Sequence, residues 1–178
     1  DYLHLMDYFF VVADYLAINI SSPNTENLRE LSSDENLEFL LKKISQKKVQ
    51  LEKMHEKHTL IFLKLSPDET DSNLERIIEI SERNNLDGFI CSNTTTKHYY
   101  SKKGGMSGSR LSEKAQNLQK KVASLKQESS LLIASGGVMS AENVQERFTN
   151  SADLVQLYTG YIYYGNSLLE DALKVSSS

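Results

Sequence analysis

The sequence predicts an α/β fold built around a parallel sheet. Five short segments rich in apolar, β-branched or aromatic residues alternate with longer segments whose apolar residues recur at helical spacing. Each short segment ends in a loop of small polar residues or glycines. Strands that alternate with helices require right-handed crossovers, so these loops lie on one side of the sheet, as at the mouth of a (β/α)8 TIM barrel. A complete barrel takes about 250 residues, so 178 residues supply about five βα units, a partial barrel.

The first elements are predicted from apolar spacing and capping residues. The five strands cover residues 15–20, 60–65, 88–91, 131–134 and 154–157. A helix is predicted within residues 1–13, where apolar side chains recur at Leu3, Met6, Phe10 and Ala13. Ser32 and Glu35 form a capping box for a helix that extends to about residue 57, and Ser72 and Glu75 form another after the second strand.

The remaining helices are predicted in the same way. After the third strand, a glycine-rich loop at 104–108 leads to a helix with apolar residues at Ala115, Leu118, Val122 and Leu125. Ser140 caps a short helix, and the last helix carries Leu168, Leu169, Ala172 and Leu173. No long linker or change of composition separates the units, so residues 1–178 are predicted to form one domain.

The composition indicates a soluble globular protein and narrows its function. Hydrophobic residues make up 39% and charged residues 25%, while the formal net charge of −4 argues against a nucleic-acid-binding surface. No apolar run approaches the roughly 20 residues of a membrane span. His55 and His58 lie in a charged helix without a recognisable third ligand, so no metal site is predicted. Cys91, in an apolar run, is predicted to be a buried small side chain.

The loop after the first strand is the first candidate site. Asn19 interrupts the apolar strand, and Ser-Ser-Pro-Asn-Thr at 21–25 follows. Ligands of parallel α/β folds bind outside the carboxyl ends of the strands, although an ordinary turn also accounts for these residues. Asn93 ends the third strand in a similar way. Because an amide offers both a donor and an acceptor, Asn19, Asn24 and Asn93 together suit a planar ligand with C=O and N–H groups on its rim.

Two later loops and one lysine are candidates for binding an anion. Gly136-Gly137 and Tyr158-Thr159 follow the last two strands, where backbone N–H groups and a helix N-terminus can bind phosphate. Ordinary tight turns without a ligand are the alternative explanation for these glycines. Lys64 lies inside the second strand, with its side chain on the same side as that of Phe62. Because an unpaired buried charge is unfavourable, Lys64 either extends its ammonium into water or contacts an anion.

Six motifs, in order, resemble those of the dihydroorotate dehydrogenase family. They are Asn-Ile-Ser-Ser-Pro-Asn-Thr at 19–25, Lys64, Ser-Asn-Thr-Thr at 92–95, Gly-Gly-Met-Ser-Gly at 104–108, Ala-Ser-Gly-Gly at 134–137 and Leu-Val-Gln-Leu-Tyr-Thr at 154–159. Ser-Ser-Pro-Asn-Thr is similar to the quinone-linked, membrane-associated class 2 type, which uses serine as the base where the soluble class uses cysteine. By this resemblance, residues 1–178 are the C-terminal portion, strands four to eight, of an FMN-binding barrel.

The resemblance implies FMN-dependent oxidation of dihydroorotate to orotate in the biosynthesis of UMP. Ser22 would remove the C5 proton, with hydride passing from C6 to the flavin. Lys64 would offset negative charge at the flavin N1–C2=O edge. The cofactor would be bound by Asn19, Lys64, Ser92, Gly108, Gly137, Tyr158 and Thr159, with Ser107 and Gly136 as further neighbours. The pyrimidine would be held by Asn19, Asn24, Asn93 and Thr94.

The resemblance also implies what the sequence does not contain. The first three barrel strands and the N-terminal helices of the quinone tunnel have no counterpart in it. The quinone site and any contact with the inner membrane, bacterial or mitochondrial, would therefore lie outside it, and the chain alone is expected to be inactive. The alternatives are a non-catalytic barrel fragment that binds a phosphate ligand or a partner, and a different FMN or phosphate barrel enzyme, such as an aldolase with Lys64 as a Schiff-base lysine. The Ser-Pro-Asp after Lys64 argues against an aldolase.

Overall fold

A computed structural model describes residues 1–22, 34–99 and 104–176. Its centre is a sheet of five parallel strands whose order follows the sequence. The strands are β1 (Tyr15–Asn19), β2 (Leu60–Lys64), β3 (Gly88–Cys91), β4 (Leu131–Ser135) and β5 (Leu154–Gln156). The predicted alternation of parallel strands and helices is confirmed, and every strand ends within one residue of its predicted range.

The described residues also form six α-helices. Helix α1 (Tyr2–Phe9) precedes β1, and α6 (Thr159–Ser176) follows β5 with non-helical backbone at Gly165. A 3₁₀ turn, Gly108–Leu111, leads directly into α4. The helices that join successive strands are α2 (Asp34–His55), α3 (Asp71–Arg83), α4 (Ser112–Leu125) and α5 (Ala141–Thr149).

The two faces of the sheet differ because alternate side chains of a strand point to opposite sides. One face packs against α1 to α4 in the main core, to which the strands contribute Ile18, Ile61, Leu63, Phe89, Cys91 and Leu132. On the other face, Phe62, Ile90 and Ile133 form a smaller cluster, and Tyr15 packs edge-on against Phe62. Lys64 belongs to this second face. Cys91 is fully buried, as predicted, and burial raises the pKa of its thiol.

Aspartates that precede two strands connect neighbouring strands at their amino ends. Asp87 Oδ2 accepts hydrogen bonds from the Ile61 N–H at 2.7 Å and from Lys48 Nζ at 2.6 Å. Asp153 Oδ2 accepts from the Leu132 N–H at 2.7 Å. Each carboxylate satisfies a backbone donor of the adjacent strand. These contacts stabilise the amino ends of the strands. The polar loops lie at the opposite, carboxyl ends.

Some local predictions about the helices are wrong. The cap of α3 is Thr70, which has extended backbone and accepts from the Asn73 N–H at 3.3 Å, so Ser72 lies inside the helix. Leu125, Leu169 and Leu173 are exposed, because α4 and α6 bury neighbouring positions instead. The cap at Ser140 is confirmed by its hydrogen bond from the Asn143 N–H at 3.3 Å. Ser32 lies outside the described residues.

The outer strands, β1 and β5, each pair on one side only within the described part of the chain. One face of the sheet carries Phe62, Ile90 and Ile133. Across this face, Gln156 Nε2 on β5 donates to the Tyr15 hydroxyl on β1 at 2.8 Å. Large apolar side chains are exposed near the two ends of the chain, at Leu5, Tyr8, Phe9, Val11 and Val12, and at Tyr161, Ile162, Tyr163 and Tyr164. None of the helices in the described ranges is long and apolar enough to cross a membrane.

Candidate functional site

A pocket of about 540 Å³ lies at the carboxyl ends of β2 to β5. Parallel strands end at the same edge of a sheet, so loops that are distant in sequence meet there. The pocket gathers residues from five of the six sequence motifs. The predicted site residues that line it are Lys64, Ser92, Asn93, Thr94, Ser107, Gly136, Gly137, Tyr158 and Thr159.

The ends of β1, β2 and β3 form one polar network beside this pocket. Asn19 Oδ1 accepts hydrogen bonds from Asn93 Nδ2 at 3.1 Å and from the Ser21 N–H at 3.3 Å. Ser21 Oγ donates to the Lys64 carbonyl oxygen at 2.8 Å and accepts from Asn93 Nδ2 at 3.2 Å. Asn93 Oδ1 accepts from the Thr94 N–H at 2.9 Å. Asn19 therefore fixes the orientation of an amide in the pocket wall without lining the pocket itself.

Besides Asn19, three predicted residues lie outside the pocket lining or outside the described residues. Ser22 is half-buried, three residues beyond the end of β1, and is not among the lining side chains. Gly108 is buried behind the wall, with a φ of 70°, and a Cβ there would lie 3.3 Å from Thr159 Cγ2. Asn24 lies outside the described part of the chain.

Lys64 supplies the cation of the pocket. Strand β2 pairs with both β1 and β3, so Lys64 does not lie on an edge strand of the sheet. Its side chain is half-buried, and burial lowers the pKa of its ammonium. Among the described residues, no carboxylate forms an ion pair with that ammonium. A partly desolvated cation without an acidic partner is suited to a ligand that carries or develops negative charge.

The glycine turn after β4 forms the tightest wall of the pocket. Gly137 has a φ of 71°, in the region that favours glycine, and a Cβ there would lie 2.2 Å from Ser112 Cα. On the same side, α6 begins at Thr159, whose Oγ1 donates to Ser107 Oγ at 3.0 Å. Backbone N–H groups of a tight turn, hydroxyl groups and a helix N-terminus are the groups that bind phosphate in proteins.

The loop that carries Asn93 and Thr94 is held in place by a carboxylate from the preceding strand–helix connection. Asp68 accepts from the Thr96 N–H at 2.8 Å, from the Thr96 hydroxyl at 3.1 Å, and from the Thr95 hydroxyl. The Lys114 ammonium bridges the same carboxylate and Thr95 Oγ1. Burial raises the pKa of Asp68, but the hydrogen bonds from Lys114, Thr95 and Thr96 lower it to about 2.

Replacing Asp68 with asparagine should lower the free energy of unfolding by about 1–3 kcal/mol at neutral pH, because charged hydrogen bonds are lost. The pKa of about 2 in the folded state lies below the ordinary value of 3.8. The stabilisation is therefore present above about pH 4 and disappears as the pH falls towards 2. Urea unfolding at a series of pH values should show the two proteins converging over this range.

The matched control for Asp68 is Asp71→Asn. Asp71 forms an ion pair with Lys121 in which both side chains are at least half exposed, so the change should alter stability by less than about 1 kcal/mol. An Asp68→Asn protein as stable as the control at pH 7 would contradict the assigned role.

Comparison with known proteins decides the family. The sequence profile described as dihydroorotate dehydrogenase matches residues 1–174. The chain belongs to the dihydroorotate dehydrogenase family. Two relatives, both described as dihydroorotate dehydrogenase (quinone), come from Dichelobacter nodosus and Halorhodospira halophila and are 39% and 35% identical. Each match covers 99% of this chain and 54% of the relative, so the chain spans about half the length of the curated relatives it matches.

Solved structures of dihydroorotate dehydrogenase agree with the fold. The enzyme from Eimeria tenella in complex with ferulenol aligns with a TM-score of 0.90 at 28% identity, over 99% of this chain and 52% of that one. The ligand-free form gives a TM-score of 0.90 at 27% identity. The five βα units therefore match about half of a dihydroorotate dehydrogenase barrel.

The dihydroorotate dehydrogenase family normally binds FMN, and the pocket residues are chemically suited to this cofactor. The glycine turn and Thr159 both line the pocket, where backbone N–H groups and a hydroxyl can bind a phosphate group. The amides, hydroxyls and ammonium around the rest of the pocket can bind the polar rim of a flavin ring. In residues 1–22, 34–99 and 104–176, no group of three or more His, Cys, Asp or Glu side chains could hold a metal ion.

The pocket also contains residues that the sequence analysis missed. They are Tyr15, Leu111, Ser135, Val138, Gln156 and Leu157. Gln156 had a signal comparable to that of Lys64, because it is a polar residue inside an apolar strand whose side chain must take one face or the other. Tyr15 had no such signal, since an aromatic residue at the start of a strand is ordinary. Only the structure shows that the Tyr15 hydroxyl accepts a hydrogen bond from Gln156.

Proposed function

We propose that this chain forms strands four to eight, the C-terminal portion, of an FMN-dependent dihydroorotate dehydrogenase. The reaction is the oxidation of dihydroorotate to orotate with a quinone as acceptor, in the biosynthesis of UMP. The observation that carries the proposal is the pocket in which Lys64, the loop after β3, the glycine turn and Tyr158–Thr159 meet. These are motifs by which the sequence resembles the family.

The polar network beside the pocket is the proposed pyrimidine site. Asn93 and Thr94 line the pocket, and Asn19 orients the Asn93 amide through a hydrogen bond of 3.1 Å. An amide held in one orientation can present its donor and its acceptor to the complementary edge of a planar ring. Asn19 and Asn24 are further proposed contacts with the substrate, by resemblance to the family.

The proposed reaction removes a proton and a hydride from neighbouring carbons of dihydroorotate. Ser22 takes the proton from C5 of dihydroorotate as a general base, while its own hydroxyl proton passes on to water. FMN, when bound, supplies the acceptor for the hydride that leaves C6 and passes the electrons on to quinone. The Lys64 ammonium stabilises negative charge that develops at the edge of the pocket, because a cation in a partly desolvated site acts strongly on nearby charge.

The remaining residues are proposed to bind the cofactor. Ser92 and Gly108, together with Asn19 and Lys64, are assigned to the flavin ring. Gly137, Tyr158 and Thr159 are assigned to the phosphate, with Ser107 and Gly136 beside them. The support for the second group is that the glycine turn, Tyr158 and Thr159 line the same pocket.

The acceptor site is proposed to lie outside residues 1–178. Relatives of about twice this length are described as dihydroorotate dehydrogenase (quinone), which supports a quinone as the acceptor. By resemblance to that class, the protein would act peripherally at the inner membrane, on the bacterial cytoplasmic face or in mitochondria. Contact with the membrane would be made by N-terminal helices that are not part of this sequence.

The direct test uses the complete natural polypeptide that contains this chain. We expect the purified protein to contain FMN and to reduce a soluble quinone only when dihydroorotate is present. A protein that binds FMN but never turns over would support the alternative of a non-catalytic phosphate-binding barrel. A protein that binds no FMN, even when it is supplied in excess, would contradict the proposal.

Replacing Lys64 with alanine in the same polypeptide should reduce flavin content and slow the half-reaction with dihydroorotate by about 10²-fold, because stabilisation of the developing charge is lost. Lys64→Met is the matched variant, since it keeps a long apolar stem without the ammonium, and it should behave like Lys64→Ala. Lys64→Arg is not a safe control, because a planar guanidinium does not replace a compact ammonium in a tight site. Normal FMN content with normal reduction kinetics in both neutral variants would show that Lys64 only extends into solvent.

A further inference from the structure

Arg147, on α5, is a charged side chain buried behind the pocket. It is only 1% exposed. Its Nη2 atom donates to the Gly136 carbonyl oxygen and to the Ser112 carbonyl oxygen, both at 3.1 Å, and its Nη1 atom donates to Gln119 Oε1 at 3.4 Å. One guanidinium therefore connects the glycine turn after β4 with the first residue of α4. The start of α4 is also the segment that a Cβ placed on Gly137 would meet, at 2.2 Å from Ser112 Cα.

The charge of Arg147 is not balanced by a contacting carboxylate within the described ranges. Its hydrogen-bond acceptors are carbonyl, amide and hydroxyl oxygens, and its buried Nε has no hydrogen-bond partner there. Burial lowers the pKa of the guanidinium, and Glu146 offsets this only through a longer-range charge interaction. A buried cation without a paired anion is unfavourable, so an anion bound nearby would stabilise it.

The contact with Gly136 also determines the direction of a backbone donor. The C=O of Gly136 and the N–H of Gly137 belong to one planar trans peptide unit and point in opposite directions. Because Arg147 holds the carbonyl oxygen on the α5 side, the Gly137 N–H points away from α5. No acceptor for this N–H lies among the described residues, and both glycines line the pocket.

We propose that Arg147 is the positioning residue of the phosphate site in this pocket. Its guanidinium holds the Gly136 carbonyl and the start of α4 so that the backbone donors of the turn face a phosphate group, and the phosphate supplies the charge that balances the buried cation. This inference rests on the proposed function, since it takes the 5′-phosphate of FMN as the ligand. It adds a residue that none of the six sequence motifs contains.

The test compares FMN with riboflavin, which has the same ring but no phosphate. Dissociation constants for both are measured by flavin fluorescence on the apo form of the complete natural polypeptide. In Arg147→Met we expect binding of FMN to weaken by about 10-fold or more and binding of riboflavin to change by less than about 3-fold. Arg147→Lys should lie between wild type and Arg147→Met, because an ammonium keeps the charge but cannot reach all the oxygens.

Two further measurements separate positioning from a general structural role. Excess inorganic phosphate should raise the melting temperature of the wild-type apoprotein and should not raise that of Arg147→Met. Lys120→Met removes a positive charge from an exposed position on α4 and should keep the wild-type ratio of FMN to riboflavin affinity. If Arg147→Met does not fold, Arg147→Lys is measured instead. Its ratio of FMN to riboflavin affinity must then fall at least severalfold below that of the wild type.

An unchanged ratio of affinities in the Arg147 variants, or equal weakening of FMN and riboflavin, would overturn the inference while leaving the proposed function intact. A wild-type protein that binds FMN no better than riboflavin would overturn the phosphate site itself, and the inference with it.

Discussion

Replacing Ser22 with alanine in the complete natural polypeptide should slow the reduction of bound flavin by dihydroorotate by about 10²- to 10⁴-fold. A general base acts mainly in the transition state, so the affinity for orotate should remain close to that of the unmodified protein. Stopped-flow measurement of flavin absorbance gives the rate, and titration with orotate gives the affinity. Reduction at an unchanged rate would remove Ser22 from the mechanism.

The neighbouring Ser21→Ala variant is the matched control for this prediction. Ser21 is buried, and its hydroxyl donates to the Lys64 carbonyl oxygen at 2.8 Å. Losing this hydrogen bond should lower the free energy of unfolding by about 1 kcal/mol and disturb the Asn93 side chain slightly. We expect a rate within about 10-fold of the wild type. Equal losses of rate in the two variants would indicate a role for the whole loop rather than for the Ser22 hydroxyl.

The strands and the gathering of their loops could be predicted because they follow from local patterns. An apolar segment such as 88–91 that ends abruptly in polar residues identifies both a strand and its carboxyl end, and β3 is found at Gly88–Cys91. Parallel pairing then brings the carboxyl ends together, whatever their distance in sequence. Lys64 could be placed on the same face as Phe62 for the same reason, because side chains alternate along a strand.

The supports of the pocket could not be predicted because they depend on contacts between distant residues. Asp68 holds Thr95 and Thr96 from 27 and 28 residues away, and nothing in Ser-Pro-Asp distinguishes it from an ordinary turn. Arg147 lies on a short helix whose sequence resembles an exposed charged segment. Its burial results from side-chain contacts with Ser112 and Gln119 on α4 and with the carbonyl of Gly136 after β4. Thr70 and Ser72 are both plausible caps, and only the backbone conformation decides between them.

The other large effect concerns the 178-residue chain by itself, which should not be a working enzyme. Within the described residues, β1 and β5 each have one unpaired edge, with backbone N–H and C=O groups left without strand partners. Large apolar side chains are also exposed, among them Val12 at 76%, Ile162 at 69% and Tyr163 at 74%. At about 25 cal/mol per Å² of apolar surface, roughly several hundred Å² left in water forfeits on the order of 10 kcal/mol, comparable with the whole stability of a domain.

In the isolated chain, the two ends of the proposed cofactor site should differ in how complete they are. The proposed phosphate end consists of the turn after β4, the start of α4 and residues 158–159, all of which the chain contains. The sheet face that carries Lys64 and Tyr15 is open beyond β1 and β5 within the described residues. We therefore expect poor solubility, weak binding of FMN and no measurable oxidation of dihydroorotate when residues 1–178 are expressed alone. The full-length relative from Dichelobacter nodosus, purified in parallel, provides the positive control.

Co-expression with the unmatched part of that relative tests the physical cause. If open strand edges and exposed apolar faces are responsible, a second polypeptide that pairs with β1 and β5 should raise both the yield of soluble protein and its flavin content. A co-expressed unrelated protein of similar size should do neither. A soluble, yellow and active monomer of the 178-residue chain alone would show that five strands are enough, because the site would then need no further strands to exclude water and hold the flavin ring.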